Sequence, residues 1–432
     1  MIIDRPIYLK KLIDKGENGL IKVITGIRRC GKSFLFTKLY HSYLNSDGVD
    51  DKYIIELSLD DLKNSKYRNP YELDKYIRKK ITSSKKMYYV FIDEIQNVEA
   101  VSNKYLPEGS PKITFVDVLL GLMKQSNIDL YVSGSNSKML STDILTEFRG
   151  RSDEIRVYPF CFSEYVSGYK GNKLEAWNSY YLYGGMPLIM SRKSHDEKSL
   201  YLKNLFNHTY IRDVLEHNKI KNNRDILENL LDIISSSIGS LTNPKKIANT
   251  FMSEKKIAIN SSTISMYLEY FAGAFLINSA KRYDVKGRKY IGSPQKYYFT
   301  DIGLRNARLN FRQNEENHIM ENIIYNDLIV KGFDVDVGVV EYNFKDENGK
   351  KIRSNLEIDF VANKGNQRIY VQSAFSIPDE IKREQEISSL RRVKDSFKKI
   401  VVVKDNIIPW YDANGILFIG IDNFLLNSNS WL

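Results

Sequence analysis

Cysteine is nearly missing from this chain: two occur in 432 residues, Cys30 and Cys161, far apart and unpatterned. That excludes a disulfide framework and a cysteine-based zinc site, and it suits a reducing cytoplasm, the expected location. Histidine is almost as scarce. His41, His195, His208, His217 and His318 show no metal-ligand spacing, so no zinc is expected. No run of about 18 apolar residues exists, so neither a membrane span nor a membrane partner is expected. The opening Met1-Ile2-Ile3-Asp4-Arg5-Pro6 lacks a basic region leading into an apolar run, and no signal peptide is expected. Disorder is not indicated: 42% hydrophobic and 27% charged residues form an ordinary globular mixture, and the length points to two or three domains.

Charge is unevenly spread. The net +11 divides into 26 basic against 21 acidic residues over 1–160, 22 against 13 over 161–310, and 16 against 19 over 311–432. The middle third is therefore where an anionic partner is expected, although a solubilising surface excess reads the same way. The acidic excess of the last third disfavours a broad DNA groove of its own.

Against these absences stands one dense local pattern. "GLIKVIT" (19–25) reads as a buried strand, and "SFLFTKLYHSYL" (33–44) has apolar residues at helical spacing. Between them lies G-x-x-x-x-G-K-S, residues Gly26, Ile27, Arg28, Arg29, Cys30, Gly31, Lys32 and Ser33, leading into Phe34. Backbone N–H groups wrap a phosphate only where the loop turns tightly, which glycine permits. The following helix points its positive end at the same anion. Lys32 would reach the β- and γ-phosphates of ATP, and Ser33 would hold Mg²⁺. "MYYVFIDEIQNV" (87–98) then ends a buried strand in two acids. Asp93 is expected to hold Mg²⁺ and Glu94 to polarise the attacking water. A third buried strand, "IDLYVSGSNSKML" (128–140), ends in polar residues, of which Asn136 is the choice for touching the γ-phosphate, with Ser135 close behind. In "LTEFRGRSDEIRVYP" (145–159), Arg149 and Arg151 flank Gly150 before another strand, and a guanidinium there suits a γ-phosphate, its own or a neighbour's.

In this order "GIRRCGKS", "FIDEIQNV", "YVSGSNSKML", "TEFRGR" and "GGMP", with "KYYFTDIGLRN" and "LEIDFVA…YVQSAFSI" farther on, resemble a family of prokaryotic AAA-type P-loop ATPases. These carry a C-terminal domain of unknown function, often nuclease-like. The resemblance spans nearly the whole chain. It implies an α/β fold beginning with an additional-strand P-loop NTPase domain, with Glu94 on its catalytic strand. It also implies Asn136 as nucleotide sensor, and Arg149 or Arg151 as an arginine finger.

The expected organisation is an ATPase domain over 1–160, a helical lid over 161–225, a winged helix over 226–310 and a nuclease-like domain over 311–432. The lid follows from aromatic-rich helical spacing, with Gly184-Gly185-Met186-Pro187 stopping one helix. The winged helix follows from three helical stretches and a hairpin, "FLINSAKRYDV" and "QKYYFT" about the basic turn "KGRKY". Ser262, Thr263 and Ser265 on its third helix would meet bases, and Lys281, Arg282, Lys286, Arg288 and Lys289 phosphates. Protein docking is the alternative use of such a module. The last third resembles the PD-(D/E)xK nuclease fold, with Glu321 on its first helix, Asp359 and Glu357 on one strand face, and Gln372 on the next strand. That chemistry needs a lysine two residues after Gln372, where Ala374 stands, so a degenerate domain is expected.

The sum is a Mg²⁺-dependent ATPase that repositions its C-terminal module, on DNA, on another protein, or among further copies of itself. The rivals are a slow nucleotide-gated switch and an active nuclease.

Overall fold

The computed structural model describes residues 2–134, 148, 150–218, 220, 224–312, 315–345, 349 and 351–431. The chain divides into two compact units. The first comprises Met1–Pro159, Arg212–Ile220 and Gly273–Phe275, the second Phe160–Ile211, Lys221–Ala272 and Leu276–Leu432.

The first unit is built on a sheet of five parallel strands: β1 (Ile21–Thr25), β2 (Ile54–Ser58), β3 (Tyr88–Asp93), β4 (Ile128–Ser133) and β5 (Ser152–Arg156), in the order β2-β3-β4-β1-β5. Every residue of β1, β3 and β4 is buried. Continuous apolar runs of this kind are what a parallel sheet covered on both faces requires. The crossover helices start at strong local signals. Asn69 caps Pro70–Lys80, accepting from the Tyr71 amide, and Thr114 with Asp117 forms a capping box on Phe115–Leu122. Because β4 lies between β1 and β3, the additional-strand order implied by the resemblance is present. Parallel pairing also brings the carboxyl ends of β1, β3 and β4 to one edge, where an α/β sheet presents its ligand site.

The second unit contains a sheet of eight strands. The hairpin of β6 (Ile277–Asp284) and β7 (Lys289–Phe299) is followed by β8 (Asp334–Lys345), β9 (Lys351–Lys364), β10 (Gln367–Ala374), β11 (Lys398–Val403), β12 (Trp410–Tyr411) and β13 (Ile416–Gly420). Their order is β12-β13-β11-β10-β9-β8-β6-β7. The hairpin read as a wing thus joins the C-terminal strands: β6 pairs in parallel with β8 from Arg282↔Val337 to Asp284↔Val339. The pairing gives β6 backbone partners it would lack in a free hairpin. Helix Glu380–Arg391 covers the sheet through Ile387 and Leu390, packed among Val340, Ile358, Tyr370 and Val401.

The helices expected as a lid, over 161–225, lie largely within this second unit. Lys173–Tyr183 packs beside Ile302–Arg308, and Asn306 donates to the Tyr181 and Leu182 carbonyls at 3.1 and 3.0 Å. The Gly-Gly pair that stops this helix serves close approach. A Cβ on Gly185 would lie 2.0 Å from the Phe160 carbonyl oxygen.

Candidate nucleotide site

The loop after β1 is shaped by its glycines. Gly26 has φ +137°, and a Cβ there would sit 2.1 Å from the Val157 carbonyl oxygen. Arg29 and Gly31 also take left-handed φ, 68° and 99°, and the chain then enters a helical run over 32–46. Cys30 and Ile27 are buried, with the Cys30 thiol donating to the Val157 carbonyl at 3.4 Å. Lys32 lies against the loop, its ammonium donating to the Gly26 and Ile27 carbonyls at 2.9 and 3.2 Å. Gly26→Ala is expected to weaken ATP binding by about 5- to 150-fold, because the new methyl must displace either the loop or Val157 at a cost of about 1–3 kcal/mol. Isothermal calorimetry beside a thermal melt checks this, and parental affinity in the variant would show that the loop tolerates the methyl.

Asp93 closes β3 and is buried; its Oδ1 accepts from the Ser133 hydroxyl at the end of β4. The backbone turns sharply at Glu94, which has φ 54°. The Glu94 amide donates to the Ser133 hydroxyl oxygen at 3.4 Å, and its carboxylate accepts from the Gln96 amide nitrogen. Ser133 therefore joins the two acids. Gln96 Oε1 is buried with no hydrogen-bond partner among the described residues, leaving an acceptor beside the Glu94 carboxylate.

The residues fit a magnesium nucleotide. A backbone loop that excludes Cβ at Gly26 suits a phosphate, and the hydroxyl of Ser33 with the carboxylate of Asp93 forms a hard-oxygen donor set of the kind Mg²⁺ takes.

Two contacts steady the loop from outside the motif. Arg5 is buried and donates to the carbonyls of Cys30, Tyr158 and Pro159 at 3.1, 2.7 and 3.4 Å, with its guanidinium 4.4 Å from the Tyr8 ring centre. Arg28 pairs with Asp213, its Nη1 lying 3.0 and 3.2 Å from the two carboxylate oxygens. Arg5, Ser133, Gln96 and Asp213 were not legible as site residues. Only Ser133 carried a signal, as the last residue of a buried strand beside the Asp93 strand.

Phe34 is partly exposed, at 37%. Arg151 precedes β5, whose first residue Ser152 pairs with Ile21, whereas Arg156 pairs with Thr25 next to the loop. Arg151 is thus one strand length, roughly 17 Å at about 3.3 Å per residue, from the phosphate end. At that distance the structure does not bring Arg151 to the phosphate loop of its own chain. Asn136, Ser135 and Arg149 lie outside the described residues.

In the second unit, Glu321, Glu357 and Asp359 converge on a residue not singled out from the sequence, Lys296 of β7. Its buried ammonium lies 2.8, 2.7 and 3.5 Å from their respective carboxylate oxygens. Tyr298, two residues on and on the same strand face, donates to Glu321 at 2.6 Å. Gln372 sits alongside, its Oε1 accepting from the Asp359 amide at 3.4 Å. Burial opposes the charge on Lys296, but Glu321, Asp359 and Glu357 together outweigh it and hold its pKa above the usual lysine range. Burial, then the Glu321 charge, push Asp359 up to about 7. These residues do not fit a divalent metal: the ammonium already stands among the three carboxylates. Among the described residues, no group of three or more His, Cys, Asp or Glu is arranged to hold a metal ion. The missed signal was the alternation of "QKYYFT", which puts Lys296 and Tyr298 on one face.

Helix Ser261–Gly273 turns Ile264, Tyr267, Leu268 and Phe271 inward. It leaves Ser262 exposed and Thr263 and Ser265 half-buried, along with exposed Glu269. Lys281, Lys286, Arg288 and Lys289 are exposed on the hairpin, and Arg282 is half-buried.

Residues 18–166 match a family of AAA domains, and residues 174–315 match a domain of unknown function (DUF8612). An uncharacterized protein of Haemophilus influenzae is 31% identical over 408 residues, 93% of each chain. One of Methanocaldococcus jannaschii is 27% identical over 412 residues, 91% of this chain and 82% of that one. Among solved structures, the chain is similar to the Walker-type ATPase of Pyrococcus abyssi at 16% identity and TM-score 0.46, over 71% of this chain and 96% of that one. It is also similar to the ORC2 protein of Aeropyrum pernix at 12% identity and TM-score 0.33, over 63% and 84%. No described helix is long and apolar enough to cross a membrane.

Proposed function

This chain belongs to the family of the Haemophilus influenzae protein and carries an AAA domain, and from that premise we propose that it binds and hydrolyses ATP with Mg²⁺. The observation that carries the reading is the Asp93–Ser133–Glu94 arrangement at the same sheet edge as the loop Gly26–Ser33. The amides of the loop would bind the phosphates and Lys32 would neutralise them. Ser33 and Asp93 would hold the magnesium, which when bound offsets charge developing on the γ-phosphoryl group. The Glu94 carboxylate, oriented by Gln96, would draw the proton from the attacking water. Asn136 would sense the γ-phosphate.

Hydrolysis would reposition the second unit. Its module over 226–310 is proposed as a winged helix and its last third as a nuclease-like domain that does not cut. Ser262, Thr263, Ser265 and the hairpin cations are the proposed contacts to DNA. Arg149 or Arg151 would serve as a finger offered to a second copy of the chain, and specific ATPase activity should then rise with protein concentration.

The test is turnover measured against protein concentration, with and without DNA, beside Lys32→Ala. The variant should lose ATP binding by at least a hundredfold, since it removes a charge-assisted contact to phosphate. Binding of ATP to Lys32→Ala at parental affinity would sink the reading. Nucleotide-dependent DNA affinity at negligible turnover would favour the slow switch.

A further inference from the structure

The second unit holds a cavity of about 710 Å³ whose walls come from three separate stretches: the hairpin turn, the β9–β10 turn and the end of helix Glu380–Arg391. Its charge is lopsided. Lys286, Arg288, Arg368, Arg392 and Lys394 line it against one acid, Asp395. That acid is already engaged, accepting from the Tyr370 hydroxyl at 2.6 Å and the Phe397 amide at 3.2 Å. Among the described residues none of the five cations pairs with a carboxylate. Lys286 donates to the Glu341 carbonyl, and Arg368 to the Asn363 side-chain oxygen at 2.7 Å. Arg368, Arg392 and Lys394 come from residues 311–432, where 19 acidic residues outnumber 16 basic, and Lys286 and Arg288 come from the basic middle third.

Rings line the same walls. Arg368 lies between Tyr283 and Phe397, 5.3 and 5.5 Å from the ring centres, and Phe397 is 40% exposed. A second cavity, about 630 Å³, shares Asn366, Gln367, Arg368, Asp395 and Phe397 with the first. It continues past Lys398 and Lys399 to Tyr411, which is 59% exposed. Both lysines are held by carbonyls, of Trp431 at 2.7 Å and Asp395 at 2.9 Å, so no described carboxylate neutralises them. The result is a continuous cationic track with rings along it.

We infer that this track binds single-stranded nucleic acid. Cations placed to follow a phosphate backbone, with aromatic faces on which bases stack, are the two elements of strand binding without sequence preference. Continuity across two cavities selects a polymer over a mononucleotide. Exposed rings select unpaired bases over a duplex, whose bases are already stacked. The site goes beyond the ATPase reading and does not depend on it: it needs no nucleotide and lies elsewhere than Ser262–Ser265, sharing only Lys286 and Arg288 with the hairpin contacts proposed above.

The test is fluorescence anisotropy of a labelled 20-nucleotide oligo-dT, with the full-length chain and no ATP, at several salt concentrations. A 20-base-pair duplex and polyglutamate serve as competitors. The oligonucleotide should bind saturably, with log affinity falling linearly against log salt. The surface variant Arg288→Ala/Arg392→Ala/Lys394→Ala should weaken it at least tenfold, and Phe397→Ala roughly fivefold or more. Thermal melts establish that both variants remain folded. Lys32→Ala should bind the strand like the parent, which separates this site from the ATPase reading. The inference is overturned if the triple variant binds like the parent. It is equally overturned if duplex or polyglutamate competes as well as the single strand, or if Phe397→Ala has no effect.

Discussion

Glu94→Gln should bind ATP like the parent and hydrolyse it at least 100-fold more slowly, in line with the usual 10²–10⁴ contribution of a positioned base. The substitution keeps the shape of the side chain and an oxygen that can accept from Gln96, so the local turn at φ 54° keeps its support. It removes only the ability to take a proton. Asp93→Asn should behave differently, because the Asp93 carboxylate belongs to the proposed magnesium donor set, and there Mg²⁺-dependent binding should fall as well. Calorimetry for affinity and phosphate release for turnover distinguish the two. Steady-state hydrolysis at the parental rate by Glu94→Gln would remove this residue from the base role.

Lys296→Met should be the most destabilising single change in the second unit. It preserves volume but leaves Glu321, Glu357 and Asp359 without the ammonium that stands among them. Breaking a buried ion pair from one side costs about 3–5 kcal/mol. In a unit of this size that lowers the melting temperature by about 6 °C or more. The loss should depend on pH. The folded pKa of Asp359, about 7, stands above its unfolded value of 3.8. Its contribution is therefore full below about pH 4 and declines as pH rises through about 7, because the unfolded chain gives up the proton first. Without the lysine, which acts to lower it, the decline steepens, so the deficit should be larger at pH 8 than at pH 5. Adding Glu321→Gln and Asp359→Asn to Lys296→Met should recover stability at pH 8. A Lys296→Met protein that melts with the parent at both pH values would show that the ammonium is not what balances these acids.

The phosphate loop and the acid pair were legible because each is local. Gly26 to Ser33 occupy one turn between a strand and a helix, and Asp93-Glu94 end one buried run, so neighbouring residues state the geometry. Ser133 was half legible: its strand was read, but its hydroxyl bond to Asp93 needs β4 to lie between β1 and β3. Arg5 was invisible, since a lone arginine before a helix states nothing about the three carbonyls it reaches, two of them more than 150 residues away.

By itself, then, the sequence determined the phosphate-type loop and the acid pair on which the proposed nucleotide chemistry rests, because turn geometry, glycine sterics and the order of charged side chains along a strand end are encoded within a few residues. Only the tertiary structure decided the rest. Parallel register put Arg151 at the far end of its sheet, β6–β8 pairing carried Lys296 to the three acids, and three stretches distant in sequence met to form a cationic track. Those outcomes depend on which strands pair and which faces become buried, energies of long-range contact that no short window of residues contains.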